Sequence, residues 1–219
     1  MFDLIQERET GTSLAPRTMV YVVVHGEANP DDSQSLSEVG KEQVEDLTHS
    51  RMISTTSRIY SAPEEPALET AGLLRKHFDA PVEVKDCLKT INLPDTPNQE
   101  YESKLKAFWL QEKDDGLEEN LQEVADRIST CTDKTAAGHV NDSIVFVVDS
   151  IVSAVFYWLV AGGEEYVEDW LDTGYASCGT YEYSKKGWSL IMPPDNTFQR
   201  EPSSVRDYLS EGLVDDLLD

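Results

Sequence analysis

The chain has 219 residues, with 42 Asp and Glu against 18 Lys and Arg, giving a formal charge of −24 at neutral pH. A surface of that sign repels nucleic acid and anionic membranes, and also phosphorylated metabolites unless a local cationic pocket overcomes the field. With 39 % hydrophobic residues and Trp, Tyr and Phe all present, the chain can build one medium α/β core, and its apolar runs are too regular for disorder throughout.

Residues 1–17 are polar, end in Ala-Pro-Arg and read as a mobile or loosely docked arm. Val20 to Val24 is a run of β-branched and aromatic residues, the pattern of a strand buried on both faces. That strand delivers His25, Gly26 and Glu27 at its carboxyl end, where open α/β sheets place their ligands. Residues 28–35 are rich in turn formers. Ser37 then caps a helix whose stripe is Val39, Val44 and Leu47. A short strand at 57–61 precedes a helix over about 64–78, with Pro66 in its first turn, where a missing N–H costs little. A third strand is expected at 81–85. Helices follow at 101–113 and 118–131, and 132–142 reads as a polar linker.

Ile144 to Val148 is the second doubly buried strand. It runs through Asp149 and Ser150 into an apolar helix that Gly162-Gly163 stops. A short acidic helix over 164–171 and a hairpin of 177–184 with 187–192 complete the domain, assigned to 18–193. Residues 194–219 form an acidic tail in which Val205, Tyr208, Leu209, Leu213 and Leu217 recur at helical spacing. The bland reading of that tail is a solvated or weakly docked terminus, and the sharper one a partner-binding segment. The element order predicts a three-layer α/β/α sandwich on a mostly parallel mixed sheet.

The chain has no GxGxxG, Walker A or HExxH pattern, so neither cofactor nor metal is expected. Cys87, Cys131 and Cys178 are scattered without CxxC spacing, which argues against a disulfide framework and fits a reducing cytoplasm. No segment approaches the roughly 20 apolar residues of a membrane span. The residues after Met1 read as no secretory signal. The acidity has two explanations. One is a face for a basic protein partner. The other is adaptation to high salt, against which lysines are not depleted relative to arginines. No sequence feature speaks to oligomeric state.

Several stretches together resemble the histidine phosphatase superfamily, also called phosphoglycerate mutase-like. Val24-His25-Gly26-Glu27, with Asn29 after it, stands where that family carries Arg-His-Gly-Glu. Leu36-Ser37-Glu38-Val39-Gly40 is similar to its Leu-Thr-x-x-Gly, and Tyr60-Ser61-Ala62-Pro63 with Ala67, Thr70 and Ala71 to its Tyr-Ser-Ser-Pro-x-x-Arg-Ala-x-x-Thr-Ala. Leu88-Lys89-Thr90-Ile91 falls where the family reads Leu-Arg-Glu-Ile, and Val147-Val148-Asp149-Ser150-Ile151 where it reads Val-Val-Ser-His-Gly.

The resemblance implies a histidine that takes the phosphoryl group, two arginines and a second histidine that hold its oxygens, and an acid for the leaving group. Carried over, the nucleophile position keeps His25, but Val24 and Pro66 replace the arginines, Thr90 the acid and Ser150 the second histidine, with Asp149 beside it. A hydrogen bond to a charged group contributes roughly 1.5–3 kcal/mol, so the lost set removes on the order of 6–12 kcal/mol of phosphate and transition-state binding if the bonds add. The expectation is a degenerate member with a binding or scaffold role, its pocket closed or suited to a neutral or cationic ligand. The alternative is a slow phosphomonoesterase in which His25 works with recruited cations, for which Arg17, Lys89, His139 and Arg200 are the candidates.

Overall fold

A computed structural model describes residues 16–29, 32–94, 98–112, 116–163 and 166–218. The expected arm falls outside the described residues except for Pro16 and Arg17, and Arg17 already opens the first strand.

The core is a six-stranded sheet. Its centre is β1 (Arg17–Val24) beside β6 (Ser143–Val148), paired in parallel from Met19 with Ser143 to Val24 with Val148. Outward on one side lie β4 (Arg58–Ser61) and β5 (Val82–Val84), both parallel. On the other lie β7 (Cys178–Ser184), antiparallel to β1, and the edge strand β8 (Gly187–Asp195). β2 (Ala28–Asn29) and β3 (Asp32–Leu36) form a separate small ribbon.

Successive side chains of a strand point to opposite faces. Val22, Phe146 and Val148 accordingly meet Ile128, Val152 and Phe156 of α4 (Leu121–Ala137) and α5 (Ser150–Ala161) on one face. On the other pack α1 (Glu38–Ser50) and α2 (Glu65–Phe78). Val20, Val23, Ile144, Val145 and Val147 are fully buried, so both central strands are apolar on both faces because helices cover both. Phe156 sits between the rings of Tyr181 and Trp188, with centroids 4.8 and 4.9 Å away.

The helix starts follow local chemistry. The Ser37 hydroxyl accepts from the Gly40 N–H at 2.9 Å to cap α1, and Asn120 and Glu123 form a capping box on α4. α5 ends at Gly162, whose φ of 69° suits glycine. Two expectations need correction. The stretch 132–142 is not a linker throughout, because α4 continues to Ala137. Thr132 and Thr135 there donate their hydroxyls to the carbonyls of Ile128 and Cys131, which lets polar side chains ride inside a helix. Nor are the cysteines all free. Cys87, in a 3-10 turn at Asp86–Leu88, is bonded to Cys131 of α4. Their separation of 44 residues resembles no short motif, and only the packing of the turn on α4 brings them together.

The tail is docked on its own domain. β8 runs on to Asp195, so no break falls at 193. Ser204 bridges Gly174, a 3-10 turn spans Val205–Tyr208, and α7 (Glu211–Leu218) buries Leu213 and Leu217. α3 (Gln99–Trp109) receives it: Lys106 pairs with Asp216, and Ser210 donates to Glu102 at 3.0 Å. Val205, Leu213 and Leu217 of the stripe thus face inward, Leu209 is half-buried, Tyr208 stays exposed, and α6 (Tyr166–Leu171) packs alongside.

Candidate functional site

The site gathers at the carboxyl ends of β1, β4 and β6, and glycine spacing sets its geometry. A Cβ on Gly26 would lie 2.5 Å from the Gly40 carbonyl oxygen, and one on Gly40 would lie 2.1 Å from the Glu27 carbonyl oxygen. The turn after His25 and the first turn of α1 therefore touch backbone to backbone, which both glycines are needed to allow. Thr70 holds the same turn by accepting from the Gly26 N–H at 3.1 Å, and Gln43 accepts from the Glu27 N–H at 3.1 Å.

These contacts fix His25. Its N–H donates to the Val148 carbonyl at 2.9 Å, and its own carbonyl accepts from Ala176 at 3.1 Å. Nδ1 lies 2.8 Å from the Gly26 carbonyl. A carbonyl only accepts, so Nδ1 carries the proton and the lone pair of the neutral ring is on Nε2. Burial holds the imidazole below its usual value, so the neutral form prevails at neutral pH.

Around His25 the chain places carboxylates. Glu64, the N-cap residue of α2, is the charge that acts on the imidazole. Glu64 Oε1 accepts from the Thr90 N–H at 2.9 Å, while Oε2 is buried without a hydrogen-bond partner. Asp149 caps α5 by accepting from the Val152 N–H at 2.8 Å, and the Thr90 hydroxyl donates to its other oxygen. Burial pushes both carboxyls up, and Asp149 adds to the cost of ionising Glu64. The Thr90 N–H partly opposes this at Glu64, as the Thr90 hydroxyl and the α5 N–H groups do at Asp149. Helix N-termini attract anions, and here that of α5 is already occupied by the Asp149 carboxylate, while the Glu64 side chain makes no capping bond on α2.

Tyrosines complete the surround. The Tyr175 ring lies 5.9 Å from that of His25 and 5.5 Å from that of Tyr208. Tyr208, on the docked tail, donates its hydroxyl to Glu27 Oε2, which also accepts from Ser203 at 3.0 Å. Tyr101, on α3, is pushed up to about 12 by burial and by Asp149.

The positions marked by the sequence divide accordingly. His25, Gly26, Glu27, Thr90 and Asp149 belong to the cluster. Asn29 lies beyond it in the β2–β3 ribbon. Val24 is fully buried, and Pro66 is buried in the first turn of α2, so both pack. The Ser150 hydroxyl accepts from Trp170 Nε1 at 3.2 Å, which ties α5 to α6. Three of the proposed recruits are engaged elsewhere, and among the described residues Lys89 is bonded through its backbone alone. Arg17 pairs with Glu182 and Arg200 with Asp46, each at 2.9 Å, and His139 bonds the Tyr60 hydroxyl at 2.7 Å. Lys89 offers its carbonyl to Arg127.

Arg127 is the cation that acts on Asp149. Its guanidinium donates to the Cys87 and Lys89 carbonyls at 2.9 Å each, and its Nε and Nη2 to Glu119 at 2.7 and 2.8 Å. Glu64 was missed by sequence reasoning, although the rule that singled out His25 applies to it, since it follows β4 at the same end of the sheet. Arg127, Tyr101, Tyr175 and Tyr208 left no local signal, because they arrive from distant helices, loops and the tail.

This arrangement, a histidine held by its own Gly26 carbonyl at the end of the first strand of an α/β/α sandwich, defines a phosphoglycerate mutase-like protein. The histidine phosphatase superfamily (branch 1) profile matches residues 20–195, and the chain belongs to that family. Solved structures share its fold. YhfR of Bacillus stearothermophilus is 17 % identical with a TM-score of 0.67, over 80 % of this chain and 96 % of that one. Phosphoserine phosphatase of Entamoeba histolytica, solved with 3-phosphoglyceric acid, is 16 % identical with a TM-score of 0.68, over 83 % and 98 %. Phosphoglycerate mutase of Bacillus anthracis is 13 % identical with a TM-score of 0.67, over 94 % and 98 %. Among curated proteins none matches the sequence. No helix among the described residues is long and apolar enough to cross a membrane.

Proposed function

We propose that this chain is a catalytically degenerate histidine phosphatase that works by binding rather than by phosphoryl transfer. One observation carries the reading: His25 is faced by the Glu64 carboxyl with Asp149 behind it, while the positions of the family's two arginines are packed residues, Val24 and Pro66. A phosphoryl group brought to Nε2 meets negative charge where its transition state needs donors and cations. The acidic exterior is the proposed face for a basic protein partner. A cytoplasmic location rested on unpaired cysteines, and the Cys87–Cys131 bond weighs against it.

The second reading, a slow phosphomonoesterase, is favoured by the Nδ1 contact with Gly26, which leaves Nε2 free to attack phosphorus. In that reaction the N–P bond forms as the P–O bond to the leaving group breaks. Glu64, whose carboxyl burial pushes above its ordinary value, is the group that would protonate the departing oxygen. Hydrolysis of p-nitrophenyl phosphate by wild type and His25→Ala, at low and high salt, decides between the two. Equal background rates support the degenerate reading. Turnover that disappears with His25 overturns it.

A further inference from the structure

β5 ends at Val84, and residues 86–91 beyond it pair with no strand. α4 holds them instead, at two points one helical turn apart. Arg127 clasps the Cys87 and Lys89 carbonyls at 2.9 Å each, and Cys131 is bonded to Cys87 itself. Positions i and i+4 share a helix face, so both ties meet the same short turn. The two ties differ in kind. The guanidinium is itself held by Glu119, with Nε 2.7 Å from Oε1, and a charged pair of this sort opens and closes and weakens with salt. The sulfur–sulfur bond is permanent until it is reduced.

Just beyond Cys87 lies Thr90, whose N–H donates to Glu64 Oε1 at 2.9 Å and whose hydroxyl donates to Asp149. Thr90 thus joins both carboxyls of the His25 cluster, and the covalent tie at Cys87 restricts where it can stand. The two sulfurs are unequally covered. Cys131 is buried, whereas Cys87 is half-buried in a turn beside exposed Asp86. We propose that the Cys87–Cys131 bond is a redox-sensitive latch on the His25 site: oxidised, it holds Thr90 against Glu64 and Asp149, and reduced by a dithiol, it frees 86–91 and opens the site to solvent. In the reduction a thiolate of the dithiol attacks Cys87 Sγ, the sulfur–sulfur bond breaks, and Cys131 leaves as a thiolate that takes up a proton. The second thiol of the reductant then attacks the mixed disulfide and releases Cys87. The electron pair and the two protons gained by the protein come from the dithiol, which ends as a disulfide. The proposal rests on the reading that the His25 cluster is the working site of this chain. Its test follows the order of that site and neither binding nor turnover, so failure of the latch and failure of that reading give different results.

The test is NMR relaxation on the full, isotopically labelled chain, first oxidised, then reduced with dithiothreitol, then reoxidised. The double variant Cys87→Ser with Cys131→Ser supplies the open state without a reductant. We expect backbone order parameters over 86–91 to fall from about 0.85 to under about 0.6 on reduction, while β1 and β6 keep theirs. The titration midpoint of the His25 ring should rise toward 6.5 as solvent reaches it. Both changes should reverse on reoxidation, and the double variant should match the reduced protein. Should that variant fail to fold, the reversible change in wild type decides alone. Unchanged order at Thr90 with the bond open, a His25 midpoint that does not move, or order lost throughout the sheet overturns the proposal and leaves the bond a plain staple.

Discussion

The hydroxyl of Tyr208, near the end of the chain, donates to Oε2 of Glu27, two residues after His25. Gln43 reinforces the link by donating to the Ser203 hydroxyl at 2.9 Å, and Arg206 by its pair with Asp172. The tail is thereby fastened to the turn that carries the histidine.

Tyr208→Phe should loosen the tail selectively. Tyr208 ionises only at about 12, raised by burial and by its bond to Glu27. A folded value above the unfolded value of 10 means that this contribution is fully present below pH 10 and is lost as pH rises toward 12. Limited proteolysis of 196–218 should therefore accelerate above pH 10 in wild type. In Tyr208→Phe it should be faster already at pH 7 and should lack that additional rise. Identical digestion of both proteins across the range would show that the hydroxyl contributes nothing to docking.

His25 should remain uncharged well below the pH at which a free histidine protonates. Its folded value lies under the unfolded 6.5, so stability is complete above pH 6.5 and declines as pH falls from there toward the folded value. Glu64 and Asp149 act in the opposite sense. Raised above their unfolded values, they contribute most at low pH, and that contribution is lost as pH climbs through their folded values. Titration of the His25 ring protons by NMR should give a midpoint below 6.5, and His25→Asn should lose less stability than wild type between pH 6.5 and 5. A ring that titrates at or above 6.5 would contradict the burial argument.

Putting the family's arginine back at one position should not restore phosphate binding. Val24 has no exposed surface, and an arginine there places an unpaired charge in the core, costing about 3–5 kcal/mol. Val24→Arg should lower the urea midpoint accordingly without saturable binding of inorganic phosphate. A variant of unchanged stability that binds phosphate would mean that position 24 opens into the pocket.

The Cys87–Cys131 bond closes a loop of 44 residues, for which the chain-entropy estimate is about 4 kcal/mol. Reduction and Cys131→Ser should therefore lower stability by similar amounts, up to that figure. Thiol counting in denaturant should find one free group, Cys178, before reduction and all 3 cysteines after it. Three reactive thiols in the untreated protein would remove the bond from the account.

The fold was legible where one local cause suffices. The apolar runs of β1 and β6, the Ser37 cap, Pro66 in a first turn and the Gly162 stop each act through their immediate neighbours, and each stands where its chemistry requires. The site was half legible. His25 and Asp149 could be placed because they follow buried strands, and the losses at positions 24 and 66 could be read from the family pattern. What surrounds them was not, because Tyr101, Tyr175 and Tyr208 come from separate parts of the chain, and Arg127 reaches the Cys87 turn from another helix. The inward stripe of the tail could be seen, but not what it would meet.

The central strand has one more consequence, for synthesis. β1 is made before every other strand of the sheet, and both of its neighbours come much later: Val22 pairs with Phe146 on one side and with Gly179 on the other. While the ribosome is still making the middle of the chain, this apolar strand has both hydrogen-bonding edges unfilled, the state most exposed to mispairing with other chains. Nascent chains arrested before residue 143 should therefore be held by chaperones, and native-like protease resistance should appear only after β7 has left the exit tunnel.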